Sequence, residues 1–339
     1  MNAPSPLATD TVTLVTGASG FVGGRLARRL LGAGRRVRAV ARSPLSELAA
    51  LGAETMRADI ADPAAMDAAC RGVGTVFHAA ARVGVWGPRV AFERTNIGGA
   101  QAIVAGCRTH GVARLVFTSS PSVVFCDADL AGVDEAQPRG TDFPADYPRT
   151  KAEAERLILA AHEPGRLATC ALRPHLIWGV GDQNLIPRVV ARARAGRLRI
   201  VGAGKNVVDL THVENVVDAH LDAERALAAP ACPAGGCAYF ITNGEPVVLW
   251  DWINDLLGRL DVPPVTRRIS LANARRIGAV CEALWSTLRL RGEPPMTRFV
   301  ASELAKDHWF RIDAARRDLG YAPRVTMAQG LDELVRTLR

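Results

Sequence analysis

The chain has 339 residues, 48% of them hydrophobic, with 42 basic against 34 acidic side chains and a formal net charge of +8 at pH 7. That length carries one large domain, or a large domain with a smaller lobe. The basic residues are mostly arginine, spread along the chain without aromatic interleaving, so nucleic-acid binding gains no support and an anionic cofactor or substrate suits the charge. The cysteines at 70, 107, 126, 170, 232, 237 and 281 are odd in number, and "PAGG" between Cys232 and Cys237 is no metal knuckle; reduced cytoplasmic thiols and no metal site are expected. "MNAPSPLATD" carries no basic, apolar leader, so no secretory signal is expected. Without a run of about eighteen uncharged apolar residues, no spanning helix is expected either.

In chain order, "TVTLVTG" predicts a strand and "FVGGRLARRLLGAG" a helix that stops at glycine. "RRVRAVAR" and "ETMRADI" predict the next two strands, the latter followed by the helix "PAAMDAACRG". "VGTVFHAAA" is a fourth strand, "AFERTNIGGAQAIVAGCRTHG" a long helix and "VARLVFTSS" a fifth strand. A helix from near Tyr147 to about Ala161 leads to a sixth strand, "LATCALRP". Such alternation implies right-handed βαβ units and a parallel sheet, and the nearly continuous apolar strands suit a sheet covered on both faces. The predicted fold is α/β: a doubly wound parallel sheet over residues 1–175 that binds a dinucleotide, then a smaller C-terminal lobe over 176–339, mainly substrate-binding and interleaved with late sheet elements. Ligands in such sheets bind outside the carboxyl ends of the strands.

"LVTGASGFVGGRL" sets Gly17, Gly20 and Gly23 between the first strand and first helix. Glycines there permit a tight turn, close approach to a pyrophosphate and close helix–strand packing. The helix N-terminus then presents free N–H groups to the anion, which makes Ser19, Phe21 and Val22 cofactor contacts too. The second strand ends "VRAVARSP", with Arg42 and Ser43 where an NAD site carries an acid. An arginine there pairs with a 2′-phosphate, which favours NADPH over NADH; an ordinary surface arginine is the competing reading. Asp59 and Ile60 are placed to cap the adenine, and Ala79, Ala80 and Ala81 let the cofactor lie close to the backbone.

Tyr147 and Lys151 in "FPADYPRTKAEAERL" are one helical turn apart and share a face. Pro148 is tolerable only in a first turn, so Tyr147 opens the helix. A nearby ammonium and an oxidised nicotinamide are expected to lower the phenol's pKa from about 10 and fit it for proton transfer. The hydroxyls of "VFTSSPSVVF" complete the constellation at the end of the fifth strand, where they can bind a substrate oxygen.

Taken together, "TGASGFVG", "ADI", "FHAAA", "TNIGGA", "TSSPSVV", "YPRTK" and "LRPHLIWGVGD" resemble the extended short-chain dehydrogenase/reductase superfamily, with its Rossmann-type sheet, over essentially the whole chain. The resemblance implies a catalytic Ser120, Tyr147 and Lys151, with Ser120 preferred over Ser119. It also implies cofactor contacts from Asn96, Thr118, Pro174, His175 and Ile177, Lys151 holding the nicotinamide ribose and Asn96 supporting the lysine. Trp86, Ser122, Trp178 and Asn184 are candidate substrate contacts. The lack of an acidic pair in "SSPSVV" argues against a dehydratase, and "TSSPSVVF" looks like the 3β-hydroxysteroid dehydrogenase branch.

"YFITNGEPV", "RRIGAVCEALWSTLRLRGEPPMTRFVASEL" and "HWFRIDAARRDLGYAPRVTMAQGL" resemble the bacterial reductases of 2-alkyl-3-oxoalkanoic acids in long-chain olefin biosynthesis. The expectation is NADPH-dependent reduction of such a β-keto acid to the β-hydroxy acid. A 3β-hydroxysteroid or sterol 4-carboxylate dehydrogenase is the alternative, and an inactive dinucleotide sensor the alternative of another class. The resemblance further implies a homodimer and hints at association with other enzymes of the olefin route. The apolar stretch from Ile269 to Leu290, ringed by arginines, reads as a lid on an acyl pocket, a peripheral membrane contact or a plain packed helix.

Overall fold

The computed structural model describes residues 11–339, and the stretch read for a secretory signal lies outside them. The first half alternates as its sequence dictates. β1 (Val12–Thr16), α1 (Phe21–Gly32), β2 (Val37–Ala41), α2 (Ser46–Ala50), β3 (Glu54–Arg57), α3 (Pro63–Cys70) and β4 (Val73–His78) follow one another through short turns. α3 starts where Asp62 accepts hydrogen bonds from Ala64 N and Ala65 N, with proline in its first turn, the N-cap and fixed φ that favour a helix start. α4 (Arg89–Phe92) continues through a π-helical turn, Glu93–Gly98, into α5 (Gly99–Thr109). Gly99 lets α5 pack closely there, because a Cβ would sit 2.7 Å from the end of the Ile60 side chain. β5 (Arg114–Thr118), a 3₁₀ turn (Pro121–Val124), β6 (Leu130–Val133), α6 (Asp146–Ala160) and β7 (Ala168–Pro174) complete this half.

The second half is more broken: β8 (Ile177–Trp178), α7 (Leu185–Arg194), β9 (Ile200–Val201), β10 (Val207–Val208), β11 (Thr211–His212), α8 (Val213–Ala228) and β12 (Ala238–Ile241). β13 (Val247–Val248), α9 (Leu249–Arg259), β14 (Arg268–Ile269), α10 (Leu271–Thr287), α11 (Arg298–Glu303), β15 (His308–Phe310), a π-helical turn (Ala315–Leu319) and α12 (Met327–Leu338) end the chain.

The main sheet has seven strands in the order β3-β2-β1-β4-β5-β7-β12, and every pair in it is parallel. This is the doubly wound Rossmann arrangement, with its switch point between β1 and β4. One face is covered by α1, α8 and the tail around Ile312, Ala315 and Tyr321. The other is covered by residues of α3, α5 and α6. α8 is fastened to α1 by Glu214, which takes ion pairs from Arg25 (2.5 Å) and Arg29. A separate core formed by Trp178 of β8 and side chains of α7, α9, α10 and α12, including Trp250 and Trp252, makes up the smaller lobe. A second sheet, β13-β10-β15-β6, joins the two halves, because β6 pairs in parallel with β15. Among the described residues no helix is long and apolar enough to cross a membrane.

Candidate active site

A cavity of about 590 Å³ opens along the carboxyl ends of β1, β2, β4, β5 and β7, the position that a doubly wound sheet offers a ligand. At one end Gly17, Gly20 and Gly23 lie between β1 and α1, with Ser19, Phe21 and Val22 also lining the cavity. Gly17 has φ +71°, and a Cβ on it would meet the Ala80 main chain at 2.8 Å. A Cβ on Gly23 would lie 2.4 Å from the Gly17 oxygen. No side chain caps α1, whose N-cap is Gly20. The first N–H groups of that helix are therefore left for an anion, and this cradle fits a dinucleotide pyrophosphate.

Arg42, Asp59, Ile60 and Ala79–Ala81 line the next stretch. Arg42 is exposed, and no carboxylate follows it at the end of β2. Asp59 is engaged by Arg94 at 2.6 Å. Further along come Thr118, Ser120, Ser122, Tyr147 and Lys151, and then Pro174, His175 and Ile177. Asn184 and Leu185, at the start of α7, close that end.

Ser120 and Ser119 divide their work. Ser120 Oγ accepts from Ser122 Oγ at 2.9 Å and lines the cavity together with Tyr147. Ser119 is turned inward and donates to Glu155 at 2.7 Å. Glu155 is fully buried and also accepts from Arg173 (2.7 and 2.9 Å) and Arg139 (2.9 Å). Burial opposes its ionisation, but the Arg173, Ser119 and Arg139 contacts hold its pKa below the usual value. This cluster locks α6 to the ends of β5 and β7, the elements that carry Tyr147, Ser120 and Pro174.

The expectation that the lysine lowers the phenol's pKa is corrected for the chain's own groups. Burial raises the Tyr147 pKa, with the Ser120 hydroxyl working against it. The phenol is thus kept as a proton donor by the chain's own groups, not lowered by its lysine. Lys151 donates to the Thr118 carbonyl at 2.5 Å and lies 4.0 Å from the centre of the Phe117 ring. Burial lowers its pKa to about 7, and the Glu155 charge acts the other way.

Three candidates do not line the cavity. Trp178 is fully buried, edge-on to Trp252 at 5.2 Å and to His212 at 5.4 Å. Successive strand residues point to opposite faces, so Ile177 faces the cavity while Trp178 enters the core of the lobe. Trp86 is half-buried, and Val83, Gly84 and Val85 of its loop line the cavity in its place. Asn96 clamps the chain instead of touching the cavity: it accepts from Arg82 N at 2.7 Å and donates to Arg82 O (3.2 Å) and Thr150 Oγ1 (2.9 Å). Thr150 adjoins Lys151, so Asn96 is placed to support the lysine through the backbone.

The sequence reading missed Phe299 and Glu303, which line the cavity from α11. They stand four residues apart and so share a helix face. Thr297 was a usable signal: its hydroxyl caps α11 by accepting from Val300 N at 3.1 Å.

Known proteins match this chain along nearly its whole length. The sequence profile of the 3-beta hydroxysteroid dehydrogenase/isomerase family matches residues 14–272. A 2-alkyl-3-oxoalkanoate reductase of Stenotrophomonas maltophilia (strain K279a) is 48% identical over 95% of this chain and 97% of its own. A protein of the same description from Shewanella oneidensis is 40% identical over 96% and 85%. Among solved structures, MoeE5 in complex with UDP-glucose and NAD superposes with a TM-score of 0.72 at 27% identity, covering 97% of this chain and 100% of that one.

Proposed function

Because the chain belongs to the 3-beta hydroxysteroid dehydrogenase/isomerase family, we propose that it reduces the ketone of a 2-alkyl-3-oxoalkanoic acid to the β-hydroxy acid, with a nicotinamide dinucleotide as hydride donor, in long-chain olefin biosynthesis. The observation that carries this reading is the meeting of Ser120, Tyr147 and Lys151 in the same cavity as the glycine cradle. The reductases of Stenotrophomonas and Shewanella supply the substrate class. NADPH is the preferred form, on the strength of Arg42 in place of an acid at the end of β2.

Gly17, Ser19, Gly20, Phe21, Val22 and Gly23 would hold the pyrophosphate, Arg42 the 2′-phosphate, and Lys151 the nicotinamide ribose. The bound cofactor supplies hydride to the β-carbon. Ser120 and Tyr147 hold the keto oxygen between them. Tyr147, a phenol that stays protonated at neutral pH, gives that oxygen its proton. Residues 1–175 serve the cofactor and 176–339 mainly the substrate, with β12 returning to the main sheet. A homodimer through α5 and α6 is part of the reading, as is docking with other enzymes of the route.

We also propose that α10 contacts a lipid surface. Ile277, Val280, Leu284 and Leu288 are exposed along it, at the spacing of one helix face. Arg276, Arg289 and Arg291 flank them, while the acidic Glu282 is turned in to Arg298 at 2.7 Å. An apolar stripe rimmed by arginine suits an anionic membrane.

The reaction is tested in the oxidative direction, since β-keto acids decarboxylate. A 2-alkyl-3-hydroxyalkanoic acid is offered with NADP+ and NAD+ in parallel, and a sterol 4-carboxylate serves as comparison. Rapid NADP+ reduction with the dialkyl acid is expected. Tyr147→Phe should lose about 10²–10⁴-fold in turnover while binding NADP+ as before. Turnover only with the sterol acid and NAD+ would move the chain to the steroid branch, and an unimpaired Tyr147→Phe would refute the role of the phenol.

A further inference from the structure

We propose that Arg57, the last residue of β3, joins Arg42 in holding the 2′-phosphate of the cofactor and so helps the chain tell NADPH from NADH. This rests on the NADPH reading above and adds a residue that the strand-end motif of β2 does not contain.

β2 and β3 run in parallel, with Ala41 level with Arg57. Beyond that register the two strands make one more main-chain bond, from Ala58 N to Ala41 O at 2.9 Å. β2 ends there. The next carbonyl, that of Arg42, accepts from Nε of Arg57, also at 2.9 Å. The Arg57 side chain thus takes over where the ladder of main-chain donors stops. Its guanidinium is set beside the main chain of Arg42, the place where a doubly wound sheet meets the adenosine ribose of a dinucleotide. Arg42 lines the cavity, and so do Ala58, Asp59 and Ile60, the residues directly after Arg57.

An arginine has five N–H donors, and the bond to the Arg42 carbonyl uses one of those on Arg57. Among the described residues the other four have no partner, and the Arg42 side chain makes no hydrogen bond or ion pair. Both side chains are exposed. The acidic side chains of α2, β3 and the turn after it are engaged elsewhere. Glu47 pairs with Arg28 at 2.5 Å and Glu54 with Arg38 at 2.8 Å. Asp62 caps α3. Asp59 accepts from Ala61 N at 3.1 Å and from Arg94 at 2.6 Å.

Two guanidiniums with donors to offer, among carboxylates that already have their cations or N–H groups, form a site for a phosphate dianion. Fixing Arg57 at Nε also holds its planar fork ready, so less freedom is lost when the remaining N–H groups meet phosphate oxygens. The competing role is a cap, in which Arg57 does no more than satisfy a carbonyl at the strand end. The two roles differ in what they discriminate. A cap serves NAD+ and NADP+ alike, whereas a phosphate contact serves NADP+ alone.

The test is calorimetric titration of the full chain, Arg57→Ala, Arg57→Gln and Arg42→Ala with NADP+ and with NAD+. Adenosine 2′,5′-bisphosphate and 5′-AMP serve as the matching fragments. Wild type should favour NADP+, less so in high salt, because both guanidiniums are exposed. Arg57→Ala should weaken NADP+ by about ten- to a hundredfold, the loss of one charge-assisted contact, with the Kd for NAD+ unchanged. Arg57→Gln, whose amide can still donate to a carbonyl, should lose the same preference. The bisphosphate should follow NADP+ and the monophosphate NAD+.

An NADP+-to-NAD+ ratio equal in wild type and Arg57→Ala, but lowered in Arg42→Ala, refutes the Arg57 contact and keeps the NADPH reading. Equal weakening of both dinucleotides in Arg57→Ala, or a preference retained by Arg57→Gln, reduces the residue to a cap and overturns the proposal. A wild type that binds NAD+ at least as tightly as NADP+ refutes the NADPH reading itself, and the Arg57 contact with it.

Discussion

Burying an ammonium is costly, and the Lys151 pKa of about 7 records that cost. Each unit of depression is about 1.4 kcal/mol, so the charged form costs the fold roughly 3–5 kcal/mol. The folded chain binds fewer protons than the unfolded one between pH 7 and about 10.5, the model lysine value, so this residue makes stability rise with pH through that window. Lys151→Met should therefore melt above wild type at pH 6, and the gap should narrow towards pH 9. Thermal scans at the two pH values check both the sign and the trend, and equal melting at both would mean that the lysine titrates normally. The Tyr147–Lys151 pair was legible from spacing, whereas the choice of Ser120 came from the superfamily resemblance. The protonation of the pair was not legible, because burial is a property of the packed chain. The same limit explains Trp178: an aromatic next to a predicted loop reads as a substrate contact, and only the alternation of β8 turns it inward.

At the scale of elements, α10 and α11 differ in how much of them was written locally. α10 runs from Leu271 to Thr287 within the stretch 269–290 singled out by its apolar pattern, and a helix of that length declares its faces. α11 has six residues, too few for periodicity to identify a face, and its aim is set by Gly278 beneath it and His308 behind it. This is why Glu303 escaped the sequence reading. The exposed face of α10 leads to a direct expectation. The chain should float with vesicles containing anionic lipid and should do so less in high salt. Val280→Asp with Leu284→Asp should abolish flotation and leave oxidation of a short-chain, water-soluble hydroxy acid unchanged. Flotation undiminished by the two aspartates would refute the lipid contact.

For the molecule as a whole, the alternation of strands and helices made the main sheet readable as far as β7, because each βαβ unit is specified within a few tens of residues. β12 was recognisable as a strand but not as the edge partner of β7, since residue separation hides that pairing. The same holds for β6 and β15, whose short runs meet only through tertiary structure. The cofactor cradle ties this sheet to ligand binding. NADP+ at about a hundred times its Kd should add about 2.7 kcal/mol and raise the melting temperature by roughly 5 °C. Gly17→Ala should remove that shift whatever it does to the melting point itself, because its Cβ would meet the Ala80 main chain at 2.8 Å. An undiminished shift in Gly17→Ala would place the pyrophosphate elsewhere.

The pairing of β6 with β15 also orders events on the ribosome. At about 5–20 residues per second, the stretch from Leu130 to His308 takes roughly 10–35 s to emerge. Through that interval β6 is a strand without its neighbour. The main sheet gains its last strand when Ile241 appears, yet Ile312, Ala315, Leu319 and Tyr321 still have to pack beneath it. The half that first has all its strands is not the half that first has all its core, and the nascent chain hardens in both lobes only when its final turns arrive.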